Sequence, residues 1–175
     1  HDALENAGIE IQGQPRTDRL GPSAYAAWIP LVEHTSAPLS ETVRVILKTS
    51  QNLHATMLPV VVGALSGERG DRLSGFRVLR EMFQRGGLST EGIAIDSGSG
   101  GGRADHVTAR FLVNLLRFMA RQPRFASWAQ ALPVGGVDGT LSRQYVSSPL
   151  AGRHNAKTGT LLFKGSLEDN WIYAT

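Results

Sequence analysis

Two short clusters stand out for the chemistry that their residue types can support. Ser50-Gln51-Asn52 sets a hydroxyl and a carboxamide two residues apart, and Lys157-Thr158-Gly159 sets an ammonium beside a hydroxyl and a glycine. The two clusters lie 107 residues apart. In this order, Ser-x-Asn and Lys-Thr-Gly belong to a motif set of serine acyl-transfer chemistry, in which a Ser-x-x-Lys segment carries the nucleophile. Each triplet alone carries little weight. Ser50 and Asn52 are also residue types favoured as helix caps, and a lysine at a strand start is ordinarily a solvated charge.

Other chemistries find less support. Cysteine is absent, which removes disulfides, thiolate metal sites and cysteine nucleophiles together. The five histidines, His1, His34, His54, His106 and His154, form no closely spaced pair of the kind that ligates a metal. The glycine-rich run from Asp96 to Arg103 has neither the Gly-x-Gly-x-x-Gly spacing nor the Gly-Lys-Ser/Thr of a phosphate loop, so Asp96 and Arg103 are read as shaping a turn. Asp138, between glycines, reads as a turn residue as well. Eighteen Lys+Arg against 15 Asp+Glu give a net charge of only +3, with no basic run, so no nucleic-acid partner is expected. No stretch approaches the ~18 apolar residues of a membrane span. At 41% hydrophobic and 19% charged, the 175 residues suffice for one folded domain with a core.

These clusters need elements to hold them. Ala3 to Ala7, closed by Gly8, reads as a helix end, and Ile9-Glu10-Ile11 and Trp28 to Val32 read as short strands. Residues 16–27 read as a loop. A helix is expected from Ser40, a plausible N-cap, with Val43, Ile46 and Leu47 on one face, breaking at Lys48 to Asn52. A second helix follows from Leu53 to Gly67, with Pro59 kinking it or setting its start. A third is expected to start at Ser74-Gly75-Phe76 and stop at Gly86-Gly87. Ile93-Ala94-Ile95 reads as a strand. Val107 to Ala120 is the best-patterned helix, with Phe111, Leu112, Leu115, Leu116 and Met119 as its buried stripe. A short helix at Ala126–Leu132 leads into the turn-rich Pro133 to Gly139. Asn155 to Phe163 reads as a strand carrying the lysine cluster.

The segments around the clusters resemble the low-molecular-weight penicillin-binding proteins of the D-alanyl-D-alanine carboxypeptidase/endopeptidase family. Val45 through Ala55 is similar to that family's second motif. Asp96-Ser97-Gly98-Ser99-Gly100, followed by Arg103 and Val107-Thr108, resembles its Asp-Gly-Ser-Gly segment. Leu132 through Leu141 resembles its Leu-Pro-(small)-Gly-x-Asp-Gly-Thr-Leu stretch. Leu150-Ala151-Gly152-Arg153 with Ala156 through Leu161 resembles its third motif. Four segments in the right order span nearly the whole chain.

The resemblance implies a serine carboxypeptidase, or endopeptidase, that acts on peptidoglycan stem peptides through an acyl-enzyme and is inhibited by β-lactam antibiotics. A β-lactamase or esterase of the same fold and a non-catalytic wall-binding relative are the alternatives. The resemblance implies that Ser50 relays a proton to the leaving amine and that Asn52 holds the substrate amide carbonyl and the lysine of Ser-x-x-Lys. It further implies that Lys157 supplies positive charge near Ser50 and the substrate carboxylate, and that Thr158 hydrogen-bonds that carboxylate. Gly159 then lets the substrate backbone lie close, and the Thr160 N–H serves the oxyanion hole. No metal or organic cofactor is implied, and the substrate implies a periplasmic or otherwise extracytoplasmic location. The implied fold is α/β (α+β), with helices on both faces of an antiparallel sheet, as in penicillin-binding transpeptidases and serine β-lactamases. One departure stands out. The three lysines, Lys48, Lys157 and Lys164, are preceded at the third position by Val45, His154 and Leu161, so the chain holds no Ser-x-x-Lys. Residues 1–175, opening on His1 rather than Met, are accordingly expected to be the C-terminal portion of a single catalytic domain, with the nucleophile upstream, the closing strands downstream, and no acylation by this piece alone.

Overall fold

A computed structural model describes residues 2–13, 22–26, 28–30, 32–67 and 69–160. The chain divides into two compact units, His1–Ser36 and Ala37–Thr175. In the first, helix α1 (Asp2–Asn6) is followed by Gly8 at φ 79°, and a single 3₁₀ turn covers Pro22–Tyr25. Tyr25 and Trp28 meet edge to face at 4.9 Å. Neither Ile9–Ile11 nor the described residues of 28–32 form a strand. Alternation marks a face for burial, but a strand also needs a neighbour to take its N–H and C=O groups.

Among the described residues, the second unit is built from five α-helices: α2 (Leu39–Thr49), α3 (Asn52–Leu65), α4 (Arg72–Arg85), α5 (Ala109–Met119) and α6 (Phe125–Ala131). Their starts differ from expectation in instructive ways. Pro38, not Ser40, stands at the N-cap of α2, since its fixed φ of −53° suits a helix entry. α4 begins two residues early, because the Asp71 carboxylate accepts the Ser74 N–H at 2.8 Å and so defines the first turn. Thr108 does the same for α5 through the Phe111 N–H at 3.1 Å. Removing the carboxylate in Asp71→Ala is expected to lower the midpoint of a chemical-unfolding measurement.

α3 and α4 pack closely because small residues meet at their crossing. A Cβ on Gly75 would lie 1.8 Å from the Pro59 carbonyl oxygen, and one on Gly63 would lie 3.0 Å from the Gly75 nitrogen. Pro59 sits inside α3 rather than at its start. It lacks the N–H that would reach back to the Ala55 carbonyl, and Gly98 of the glycine-rich loop lies against that carbonyl. The apolar core gathers Phe83, Leu88 and Phe111, with Leu79, Ile93, Ile95, Leu115 and Phe118 around them. Phe83 and Phe111 meet edge to face at 5.3 Å. Of the stripe expected on α5, Leu112 and Leu116 remain 45% and 53% exposed, so the buried face is narrower than the pattern.

No strand forms among the described residues. Antiparallel pairing is confined to two isolated bridges, Ala94 with His106 and Val134 with Asn155. The Ile93–Ile95 strand therefore reduces to one bridged residue, and the Asn155–Phe163 strand to its first; residues 161–163 lie outside the described residues. The antiparallel sheet with helices on both faces is thus not present among the described residues, where each bridged segment has a single short neighbour.

Candidate functional site

The break between α2 and α3 is made by two residues. Ser50 caps α2 in the left-handed conformation, φ 56° and ψ 48°, and its N–H reaches the Ile46 carbonyl. That conformation belongs mostly to glycine and asparagine and costs a serine on the order of 1 kcal/mol. Gln51 then starts α3, its side-chain oxygen accepting the His54 N–H at 2.7 Å. The helix-capping reading of this cluster thus belongs to Gln51 at the N-terminus of α3, while Ser50 keeps its hydroxyl for another partner.

That partner is Lys157. Its Nζ donates to Ser50 Oγ at 2.8 Å and also to the Thr158 carbonyl. The lysine is carried by the segment that the Val134–Asn155 bridge fixes, with Gly135 N–H on the His154 carbonyl at 3.1 Å and Ala156 N–H on the Pro133 carbonyl at 3.1 Å. Lys157 as a whole is exposed, but its charged end turns in to the half-buried Ser50, and burial pulls its pKa below the ordinary lysine value. The two clusters singled out in the sequence therefore meet. Asn52 is the first residue of α3 and exposed. Thr158 Oγ1 donates to Thr140 Oγ1 at 2.7 Å. Gly159 has open space on the side where a Cβ would stand, and Thr160 is exposed beside it.

Sequence reasoning missed two residues that join α2 to the turn beside these clusters. Lys48 Nζ donates to Asp138 Oδ2 at 2.6 Å and to the Leu132 carbonyl at 2.7 Å, across 90 and 84 residues. The Lys48 side chain is only 15% exposed against 42% for Asp138, so the lysine end of the pair is the covered one. The hydrogen bond from Lys48, with the Val134 N–H at 2.9 Å, holds the Asp138 carboxyl below the usual carboxylate range. Asp138 is thus more than a turn residue. Beside it, Gly139 at φ 59° brings the turn so close to α2 that a Cβ would lie 2.6 Å from the Lys48 carbonyl oxygen. Only the sequence Val-Asp-Gly-Thr within its family-like stretch could have pointed to this.

The glycine-rich loop is organised by Asp105, also missed, rather than by Asp96 or Arg103. Asp105 accepts the backbone N–H groups of Asp96, Ser97 and Gly102 and the Ser97 hydroxyl, the last two at 2.7 Å each. Asp96 pairs instead with Arg72 at 3.5 Å on the surface. Burial works to raise the Asp105 pKa, but the hydrogen bonds from Ser97, Asp96 and Gly102 outweigh it and hold the carboxyl low. A carboxyl depressed in the folded state contributes stability that is present above the ordinary carboxylate pKa and lost as pH falls through the depressed value. Asp105→Asn is therefore expected to flatten the acid limb of a thermal-stability profile; an unchanged limb would remove Asp105 from this role. The apolar groove between α3, α4 and this loop, lined by Leu58, Pro59, Phe76, Leu79 and Met82, includes neither Ser50 nor Lys157.

Comparison with known proteins places this geometry. The chain is 33% identical over 165 residues to a D-alanyl-D-alanine carboxypeptidase of Actinomadura, which covers 91% of this chain and 30% of that protein. It is 27% identical to the D-alanyl-D-alanine carboxypeptidase DacB of Haemophilus influenzae, over 90% of this chain and 33% of that one. The chain thus spans about a third of the length of the curated relatives it matches. Among solved structures it resembles penicillin binding protein 4 (dacB) from Haemophilus influenzae complexed with a β-lactam, with a TM-score of 0.75 and 26% identity over 91% of this chain and 37% of that one. The described helices and bridges therefore follow a penicillin-binding protein's fold. The D-Ala-D-Ala carboxypeptidase 3 (S13) family matches residues 1–167, and the chain belongs to that family.

Proposed function

We propose that residues 1–175 are the C-terminal portion of one catalytic domain of a serine D-alanyl-D-alanine carboxypeptidase or endopeptidase that acts on peptidoglycan stem peptides in the periplasm or another extracytoplasmic space. The observation that carries this reading is the 2.8 Å contact of Lys157 Nζ with Ser50 Oγ, which joins the two clusters across 107 residues. In this reading a Ser-x-x-Lys segment upstream supplies the nucleophile. Its Oγ gives its proton to the lysine of that segment and adds to the carbonyl between two D-alanines, the C–N bond breaks, and Ser50 relays a proton to the departing amine. Water then resolves the acyl-enzyme. Lys157 holds positive charge beside Ser50 and the substrate carboxylate, Thr158 binds that carboxylate, and Asn52 holds the substrate amide carbonyl. Gly159 leaves room for the substrate backbone, and the Thr160 N–H faces the oxygen as it becomes anionic. β-Lactams acylate the same serine, and neither metal nor organic cofactor takes part. In this reading, further polypeptide completes an antiparallel sheet around the bridged segments.

The test is the intact mass of the full-length polypeptide after incubation with benzylpenicillin, with the adduct mapped to a peptide. A stoichiometric adduct on a serine upstream of His1 supports the reading. A folded protein that gains no mass points instead to a non-catalytic wall-binding relative.

A further inference from the structure

We propose that Lys48, Asp138 and Thr140 are positioning residues that set the Ser50–Lys157 contact, acting as a splint between α2 and the lysine-bearing segment. The proposal rests on the carboxypeptidase reading above. Its basis is a closed circuit of contacts. Ser50 follows Lys48 by two residues on the last turn of α2. Lys48 reaches Asp138 at 2.6 Å and the Leu132 carbonyl at 2.7 Å, so one ammonium grips both ends of the turn from Leu132 to Asp138. Asp138 in turn accepts the Val134 N–H at 2.9 Å, which closes that turn on itself. Two residues on, Thr140 meets Thr158 at 2.7 Å, and Lys157, the neighbour of Thr158, returns to Ser50 at 2.8 Å. The Val134–Asn155 bridge ties the same turn to the same segment a second time.

A further, less direct tie runs through α6, which packs on α2 and whose Ala129 carbonyl accepts from Asn155 Nδ2 at 3.1 Å. No regular sheet joins α2 to residues 154–158 among the described residues, and the turn from Leu132 to Asp138 touches both directly. The charge pair is suited to that work. A short, charge-assisted contact with a largely covered lysine defines one geometry more sharply than a surface pair would. The Thr140 hydroxyl also limits which way the Thr158 hydroxyl can point, because one of the two must donate to the other. A group misplaced by about 1 Å in a site of this kind costs on the order of 100-fold in rate.

The experiment uses the full-length polypeptide and a fluorescent penicillin, and follows the acylation rate separately from the final stoichiometry. Lys48→Met, Asp138→Asn and Thr140→Val are compared with Lys48→Arg and Thr140→Ser. We expect the first three to slow acylation by about 10- to 100-fold per active molecule, with the encounter constant little changed and the stoichiometry of the folded fraction intact. We expect Thr140→Ser, which keeps the hydroxyl, to restore the unsubstituted rate, and Lys48→Arg to restore part of it. A residue that only stabilises the fold would lower the folded fraction and leave the rate of the remaining molecules unchanged; that result overturns the proposal. Should the charge variants fail to fold, Thr140→Val, which preserves shape, decides alone. An unsubstituted protein that forms no adduct brings down the carboxypeptidase reading, and the splint with it, whereas normal acylation by the unsubstituted protein and by every variant brings down the splint only.

Discussion

In the full-length polypeptide, Lys157→Met is expected to slow acylation by benzylpenicillin about 1000-fold, the scale of losing one preorganised electrostatic contact in an active site. The ammonium lies 2.8 Å from the Ser50 hydroxyl, and no other lysine of the described residues touches that hydroxyl. Taking it away leaves Ser50 without its donor and, in the proposed reading, the substrate carboxylate without its cation. The pH profile gives an independent check. Burial lowers the Lys157 pKa, so its charge is lost earlier than an ordinary lysine's as pH rises. The alkaline limb of the acylation rate should fall correspondingly early. Lys157→Arg, which cannot lose its proton, should shift that limb to higher pH while staying slower than the unsubstituted protein, because a planar guanidinium does not reproduce a point contact. The same burial slightly disfavours folding while the ammonium is charged, and this cost eases as pH rises through the lowered pKa. A Lys157→Met protein that acylates at the unsubstituted rate would remove Lys157 from the reaction.

The pairing of Ser50 with Lys157 was legible in the sequence, and so were the five helices around it, to within a few residues at their ends. The helices rest on local information, apolar residues recurring every three or four positions, whereas the pairing was implied by the family resemblance of the segments around two triplets that carry little weight alone. What holds the pair together was not legible. Lys48 and Asp138 are 90 residues apart, and neither stands in a pattern that announces the other. Asp105 was passed over for Asp96 and Arg103 because a carboxylate that collects backbone N–H groups looks, in sequence, like any acidic loop residue. Strands failed for a related reason. Ile9-Glu10-Ile11 has a strand's alternation, yet alternation supplies no partner, and here none is present among the described residues. Ser40 failed as a cap because Pro38 already fixes the backbone at the entry to α2.

Gly75→Ala is expected to destabilise the second unit by about 3 kcal/mol, or to prevent its folding. Intrinsic helix propensity argues the other way, since alanine inside a helix gains about 1 kcal/mol over glycine. The contact decides the sign. An added Cβ would stand 1.8 Å from the Pro59 carbonyl oxygen and 2.4 Å from its carbon, and both are backbone atoms that no rotamer change can move aside. α3 and α4 would have to separate. That would also disturb Gly63 at the same crossing, whose missing Cβ faces the Gly75 nitrogen at 3.0 Å. The strain should spread to the site, because α3 opens directly after Ser50 and its Ala55 carbonyl packs on Gly98 of the glycine-rich loop. Gly101→Ala is the control. It lies in the same loop, has no positive φ, and its Cβ would meet only the Ser99 hydroxyl at an ordinary 3.6 Å. Thermal unfolding of both variants should therefore show a large loss for Gly75→Ala and little or none for Gly101→Ala; equal midpoints would mean that α3 and α4 do not pack this closely.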